Sequence, residues 1–296
     1  MVQVMDHESL VPAASSAPKV APLPPPRALV IMPTYQEAPN IVTALQALRK
    51  AVPGAEALVV DDSSPDGTAD LAMTYSRAEG GVHVLVRPAK TGLGSAYRDG
   101  LRWGLERDYD ALVTMDADGS HDPGALGGML AALQAGADVV LGSRYCAGGR
   151  VTDWPARRRL LSRLGNRYAT AVLRLGVHDA TAGYRVYRAA WLRTFDLAQS
   201  ESEGYCVHVE MTYRCHRAGA AIIEVPITFS DRKLGRSKMS ARIVAETFRN
   251  VTRWAVRGQG ADRVVSGKGA EVIDLRPRAR DDGARADAGS WGRAPA

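Results

Sequence analysis

The stretch Ala111-Leu112-Val113-Thr114-Met115-Asp116-Ala117-Asp118 decides the fold. A short unbroken apolar run suits a strand covered on both faces. It ends in two carboxylates at i and i+2, which leave extended backbone toward the same side. Such a pair can hold a hard divalent cation, because Mg²⁺ or Mn²⁺ takes oxygen ligands and shares them with phosphates. Alone such a pair is more often a solvated acidic turn, so the surrounding sequence has to choose.

Four similar runs stand around it: Ala28–Met32, Ala57–Val60, Val82–Val86 and Asp138–Gly142. Helical spacing appears between them, as in Ile41, Leu45, Leu48 and Val52. Asp122-Pro123 reads as the N-cap and first position of a helix over Gly124–Ala135. Repeated β-α units of this kind predict an α/β fold, with a mainly parallel sheet and helices on both faces. Ligands in such sheets bind beyond the carboxyl ends of the strands. The later sequence is less regular. It predicts an Arg-rich helical stretch over Val151–Leu175 and a strand over Ala220–Phe229 with an edge position at Pro226. Ser240–Val256 reads as an amphipathic helix, with Phe248 and Val251 interleaved with Arg249 and Arg253.

Residues 1–27 carry Pro22, Pro24, Pro25 and Pro26 with little periodicity, and 259–296 turn to Gly, Ala, Arg and Asp. Both ends read as disordered, leaving 28–258 as the folded domain of the 296-residue chain. No apolar run approaches the ~20 residues that cross a bilayer. The N-terminus lacks a basic-then-apolar signal layout. Cys146, Cys206 and Cys215 have neither disulfide-framework nor zinc-ligand spacing and read as reduced cytosolic thiols. The net charge of +6 is uneven: Arg150–Arg193 holds ten Arg against Asp153 and Asp179. Such a surface suits a phosphorylated substrate, an anionic membrane or nucleic acid. Without an ordered aromatic platform or helix-turn-helix pattern, nucleic acid is the poorest of the three.

Polar motifs fall at the strand ends. The first run leads into Pro33-Thr34-Tyr35-Gln36-Glu37, where an aromatic beside a carboxylate can stack on a base and accept from it, or simply turn into a helix. The second gives Val60-Asp61-Asp62-Ser63-Ser64-Pro65-Asp66-Gly67-Thr68. Its adjacent acids need a compensating donor or ligand, unless they form an acidic turn with Asp66 as a cap. Gly92-Leu93-Gly94 lets backbone approach something closely, but fails as a dinucleotide fingerprint because it follows the third strand. The fifth run ends in Gly142-Ser143-Arg144-Tyr145.

With Gly235-Arg236-Ser237-Lys238-Met239, these pieces stand in the order found in family 2 glycosyltransferases. More narrowly, the chain resembles the polyprenol (dolichol) monophosphate mannose synthases over about residues 28–257. The resemblance implies a GT-A fold and transfer of mannose from GDP-mannose to a polyprenyl phosphate, with Mg²⁺ or Mn²⁺. It implies that Pro33, Tyr35, Glu37, Val60 and Asp62 surround the guanosine. Asp116, Ala117 and Asp118 would bind donor and metal, with Ser120 close by. Arg144, Arg232 and Lys238 would contact phosphates, and Asp118, Arg232 and Lys238 would carry catalysis. Asp179-Ala180-Thr181-Ala182-Gly183-Tyr184-Arg185 is similar to the family's D-x-T-S-G-F-R segment, which implies acceptor contacts at Thr181, Gly183 and Arg185. It departs from that segment at Ala182 and Tyr184. Some relatives carry transmembrane helices and this sequence shows none. The expectation is therefore peripheral attachment to the cytoplasmic membrane face, directly or through a membrane partner protein. Two rivals stay open: a UDP-glucose–polyprenyl-phosphate transferase, and a non-catalytic nucleotide-sugar-binding module.

Overall fold

The computed structural model describes residues 24–200, 202–231, 241–257, 264–265 and 272–273. Its first half alternates strand and helix: β1 (Ala28–Thr34), α1 (Ala38–Ala51), β2 (Glu56–Asp61), α2 (Thr68–Glu79), β3 (Val82–Val86), α3 (Leu93–Leu105), β4 (Ala111–Thr114), α4 (Leu126–Gln134) and β5 (Val139–Ser143). The second half adds β6 (Arg150–Val151), α5 (Ala156–Val172), β7 (Arg185–Arg188), α6 (Ala189–Leu192), α7 (Cys206–Arg217), β8 (Ile222–Pro226), β9 (Thr228–Phe229) and α8 (Ala241–Arg257). Beyond them the structure describes only an antiparallel pairing of β10 (Val264–Val265) with β11 (Val272–Ile273).

Seven strands form one sheet in the order β3-β2-β1-β4-β7-β5-β8. β7 runs antiparallel to both its neighbours and the other pairings are parallel. Alternate side chains divide between two cores. Val30, Met32, Val59 and Val113 pack with Ile41, Leu45, Leu126 and Met129 of α1 and α4. Leu29, Ile31, Leu58 and Leu112 pack on the other face with Tyr97, Leu101, Val207 and Met211 of α3 and α7. Burial on both faces is why these strands read as continuous apolar runs.

The five expected strands form within one or two residues of their expected bounds. The helix expected from Gly124 begins with a 3-10 turn, Pro123–Ala125, where the Asp122 carboxylate accepts the Gly124 N–H at 2.8 Å. Pro226, expected at an edge, ends the edge strand β8, and the chain then breaks away to pair β9 with β6. The antiparallel β7 does not stand out in the sequence. The 240–257 helix forms, but it is not a free amphipathic surface. Val251 is buried with Ala169, Leu173, Ala180 and Val209, so much of its apolar side covers α5 and α7. Among the described residues no helix is long and apolar enough to cross a membrane.

Register sets the site. Thr34 lies opposite Asp61 and Ile31 opposite Thr114, so β1, β2 and β4 end at one rim of the sheet. Because β7 is antiparallel, its first residue sits there too, with Arg185 opposite Thr114. The 179–184 segment therefore joins the rim from the other direction.

Candidate active site

Met115 and Ala117 are buried beyond the end of β4, which anchors the backbone that carries Asp116 and Asp118. Asp116 is fixed twice. The Tyr97 hydroxyl donates to its Oδ1 at 3.0 Å, and its backbone N–H donates to His121 Nδ1 at 3.0 Å. With Nδ1 accepting, the His121 proton belongs on Nε2. Burial lowers the pKa of His121 despite the nearby Asp116 and Asp118 charges, so this imidazole is held neutral. Burial and the Asp116 charge push the Tyr97 phenol well above its ordinary value, keeping it a donor. Asp118 accepts the Ser120 N–H at 3.0 Å. The Ser120 hydroxyl is buried without a hydrogen-bond partner among the described residues.

These residues suit a divalent cation. Two carboxylates at a strand end, beside a hydroxyl lacking a partner, form a hard oxygen donor set. Among the described residues no group of three or more His, Cys, Asp or Glu could hold a metal unaided. A cation on Asp116 and Asp118 would complete its shell with oxygens from a bound diphosphate or water.

On the β1–β2 side the acids of Asp61-Asp62 diverge. Asp61 is buried and accepts from Thr34 Oγ1 at 2.8 Å, Ser64 N at 2.8 Å and Ser64 Oγ at 2.7 Å, so it shapes the loop. Asp62 pairs with Arg87 at 2.6 Å. Burial raises the Asp62 pKa, and the Arg87 charge opposes that shift. Arg87 also meets Asp99 at 3.0 Å and Ser95 at 2.7 Å, tying β3 and α3 to the rim. Tyr35 lies under the Lys90 ammonium, 3.7 Å from its ring centroid. Glu37 accepts from Asn40 Nδ2 at 2.8 Å. Gln36 adopts φ 58°, and its N–H reaches Ser64 Oγ at 2.9 Å. Pro33 is half-buried at the end of β1, opposite Val60 in β2. The Val60 side chain is fully buried against α3.

Arg144 stands differently from a residue waiting for phosphate. Its Nε donates to Asp179 Oδ2 at 2.8 Å, and Nη2 reaches Asp179 Oδ1 at 2.9 Å and Thr181 Oγ1 at 2.6 Å. Burial alone would raise the Asp179 pKa, but the charge and hydrogen bonds of Arg144 hold it below the usual value. Thr181 also donates to Asp179 at 2.9 Å. The Gly183 carbonyl accepts from Thr114 Oγ1 at 2.7 Å, which latches this segment beside β4. A Cβ at Gly183 would stand 3.3 Å from His208 Nε2 and 3.4 Å from His121 Cε1. Arg185, expected to meet the acceptor, is only 1% exposed. Its Nε and Nη2 donate to the carbonyls of Ala182 and Ala180 at 2.6 and 2.8 Å, so the geometry gives it a loop-shaping part. A long charged side chain sinks there because backbone carbonyls replace its water.

Arg232 and Lys238 lie outside the described residues. The chain reaches them from beside the twin aspartates: Ser230 N donates to the Ser120 carbonyl at 3.2 Å, and Asp231 takes two bonds from Arg158 Nη1 at 3.0 and 2.9 Å. The Gly92 and Gly94 close approach is to backbone rather than to a phosphate. A Cβ at Gly94 would stand 1.9 Å from the Ser202 carbonyl oxygen, and Gly94 N donates to the Glu203 carbonyl at 3.0 Å.

Tyr97 and His208 are site neighbours that no motif marks. Tyr97 lies 19 residues before its partner Asp116, and its ring meets His208 edge-on at 5.5 Å. The available signal is only an aromatic among small residues, Gly94, Ala96 and Gly100, on the inner face of α3.

The family model of Glycosyl transferase family 2 matches residues 29–195. The chain is 52% identical over 236 residues to an undecaprenyl-phosphate mannosyltransferase of Micrococcus luteus, covering 79% of this chain and 97% of the relative. It is 47% identical over 237 residues to a polyprenol monophosphomannose synthase of Mycolicibacterium smegmatis, covering 80% and 89%. A mannosyltransferase of Pyrobaculum calidifontis, solved with GDP-Man and Mn²⁺, superposes with a TM-score of 0.56 at 19% identity, covering 82% of this chain and 68% of that one. Sheet order, rim motifs and sequence identity converge: the chain belongs to glycosyltransferase family 2 and carries its GT-A fold.

Proposed function

We propose that this enzyme transfers mannose from GDP-mannose to a polyprenyl phosphate at the β4 rim, with inversion at the anomeric carbon. The observation that carries the reading is the fixed pair Asp116/Asp118 beside the Ser120 hydroxyl, which has no partner among the described residues. The sequence relatives, both named for mannosyl transfer to polyprenyl phosphate, supply the sugar and acceptor.

Asp116 and Asp118 would hold Mg²⁺ or Mn²⁺. When bound, that cation neutralises charge growing on the leaving group. Tyr97 and His121 keep Asp116 in place, so little reorganisation is needed as charge moves. Pro33, Tyr35, Glu37, Asp62 and the Val60 backbone border the guanosine, and Ala117 and Ser120 border the sugar diphosphate. Arg232 and Lys238 add positive charge at the leaving phosphates. Arg144, held by Asp179, sets the shape and field of the phosphate side. Thr181 and Gly183 border the acceptor. A phosphate monoester has its second pKa near 6 and is mostly a dianion at neutral pH, so it attacks without a strong general base. The neutral, buried His121 agrees with that requirement. One displacement inverts, and retention would need a second carboxylate about 5 Å away to form a glycosyl-enzyme. The enzyme works at the cytoplasmic membrane face, where its acceptor resides.

The test is transfer of radiolabel from GDP-mannose into organic-extractable lipid, with UDP-glucose in a parallel arm. The expected result is a mild-acid-labile mannolipid formed with Mg²⁺ or Mn²⁺ and lost with EDTA. Glucolipid in place of mannolipid, or no transfer from either donor across prenyl phosphates, contradicts the proposal.

A further inference from the structure

Among the described residues, eight large apolar side chains are exposed, and three of them crowd into one stretch of five residues. Leu160, Leu161 and Leu164 of α5 are 59%, 55% and 56% exposed. At 3.6 residues per turn they share one side of the helix. Arg159, Arg163 and Arg167 recur every four residues along its flank, Arg157 stands near its first turn, and all four are exposed. The helix contains no Asp or Glu. Solvated arginines alone would explain the charge. They do not explain three leucines left in water beside them, a patch of the kind that marks an interaction surface.

The opposite side of α5 is fastened to the site. The Ser162 and Tyr145 hydroxyls share a hydrogen bond at 2.7 Å, next to Arg144. Asn166 accepts from Ala180 N at 3.0 Å and donates to the His178 carbonyl, gripping the segment that carries Asp179 and Thr181. Arg158 holds Asp231, where the chain departs toward Arg232. One helix, about 10–12 Å across with its side chains, thus carries site loops on one side and bare leucines on the other.

We propose that α5 lies in the interface of an anionic bilayer, with Leu160, Leu161 and Leu164 among the acyl chains and Arg157, Arg159, Arg163 and Arg167 on lipid phosphates. The inference rests on the proposed lipid acceptor and names the surface that reaches it. An apolar stripe edged with arginines and free of acids has the composition of helices that bind in the plane of a membrane. Long arginine side chains reach up to phosphates while their stems stay in apolar surroundings. A water-exposed partner protein would not require this charge, and a second copy of the chain would set one arginine row near another. The placement brings a prenyl phosphate head to Thr181 while its tail stays in the bilayer.

The experiment is co-sedimentation of the full chain with vesicles of phosphatidylcholine, alone or mixed with phosphatidylglycerol, at low and high salt. Wild type is expected to partition onto the anionic vesicles at low salt. Leu161→Asp/Leu164→Asp is expected to lower that partitioning by about tenfold or more. Arg159→Glu/Arg163→Glu/Arg167→Glu is expected to remove the dependence on anionic lipid and salt. The five substituted side chains are already exposed, so circular dichroism melts should match wild type. Transfer to a short, water-soluble prenyl phosphate should stay near wild type in both variants, while transfer to a long prenyl phosphate in vesicles falls. Vesicle binding is read without turnover, so an inactive wild type would count against the acceptor assignment and leave the surface measurable. Wild type remaining in the supernatant, or the leucine variant partitioning as wild type, overturns the proposal. So does a leucine variant that splits a dimer while binding vesicles normally.

Discussion

Asp118→Ala should lower mannosyl transfer by about a thousandfold, since removing one preorganised group that stabilises developing charge costs roughly 10²–10³ in rate and metal assistance adds several kcal/mol. The loss should appear chiefly in kcat, because the charge on the leaving diphosphate grows most in the transition state. Folding should be little affected: the Asp118 carboxylate, which accepts the Ser120 N–H at 3.0 Å, lies at the rim rather than in either core. The readouts are single-turnover transfer, Mn²⁺ affinity in the presence of GDP, and urea unfolding. A variant with weakened Mn²⁺ binding, wild-type stability and almost no transfer fits the account. Transfer within tenfold of wild type would mean that the twin aspartates are not where charge is stabilised.

Asp179→Ala should be the most damaging single change to the fold around the site. The side chains of Arg144 and Asp179 are 9% and 0% exposed, so solvent screens the pair little. Removing the carboxylate leaves a guanidinium buried without its counter-charge, which typically costs about 3–5 kcal/mol. Thr181 loses its acceptor at the same time. Asp179→Asn should cost less, because an amide oxygen still accepts. The pH dependence has a definite sign. The folded pKa of Asp179 lies below its ordinary value of 3.8, so the pair's stabilisation is full above that value and fades as pH falls through the folded one. Urea unfolding at pH 7 and at about pH 3 measures both effects. A loss under about 1 kcal/mol at pH 7 would show the pair to be nearly neutral.

Strands β1, β2, β4 and β5 were legible because both faces are buried, which writes each as an apolar run. The rim site was legible for the same reason, since its acids interrupt those runs at their ends. β7 was not, because Arg185-Val186-Tyr187-Arg188 carries charge where a covered strand is expected. Arg185 turns to backbone carbonyls instead, a solution that needs the folded 180–182 loop. Partners far apart in the chain were equally hidden. Tyr97 finds Asp116 across 19 positions and Arg144 finds Asp179 across 35. The glycines at 92 and 94 announced a close approach without naming its partner, the backbone at Ser202 and Glu203. Alternating Arg and apolar residues made 240–257 read as an amphipathic helix, a candidate lipid-facing surface beside the Arg-rich 150–193 stretch. In the fold its Val251 turns inward, and the leucines of α5 are left outside.

Calorimetric titration of GDP into the full chain, with and without Mn²⁺, tests most directly whether the β4 rim holds a nucleoside diphosphate and a cation together. The account predicts that Mn²⁺ tightens GDP by about tenfold or more, a coupling of about 1.4 kcal/mol that must act equally in both directions. It also predicts that UDP binds more weakly and that Asp118→Ala abolishes the coupling. GDP binding that ignores Mn²⁺, or a coupling that survives the substitution, would contradict it.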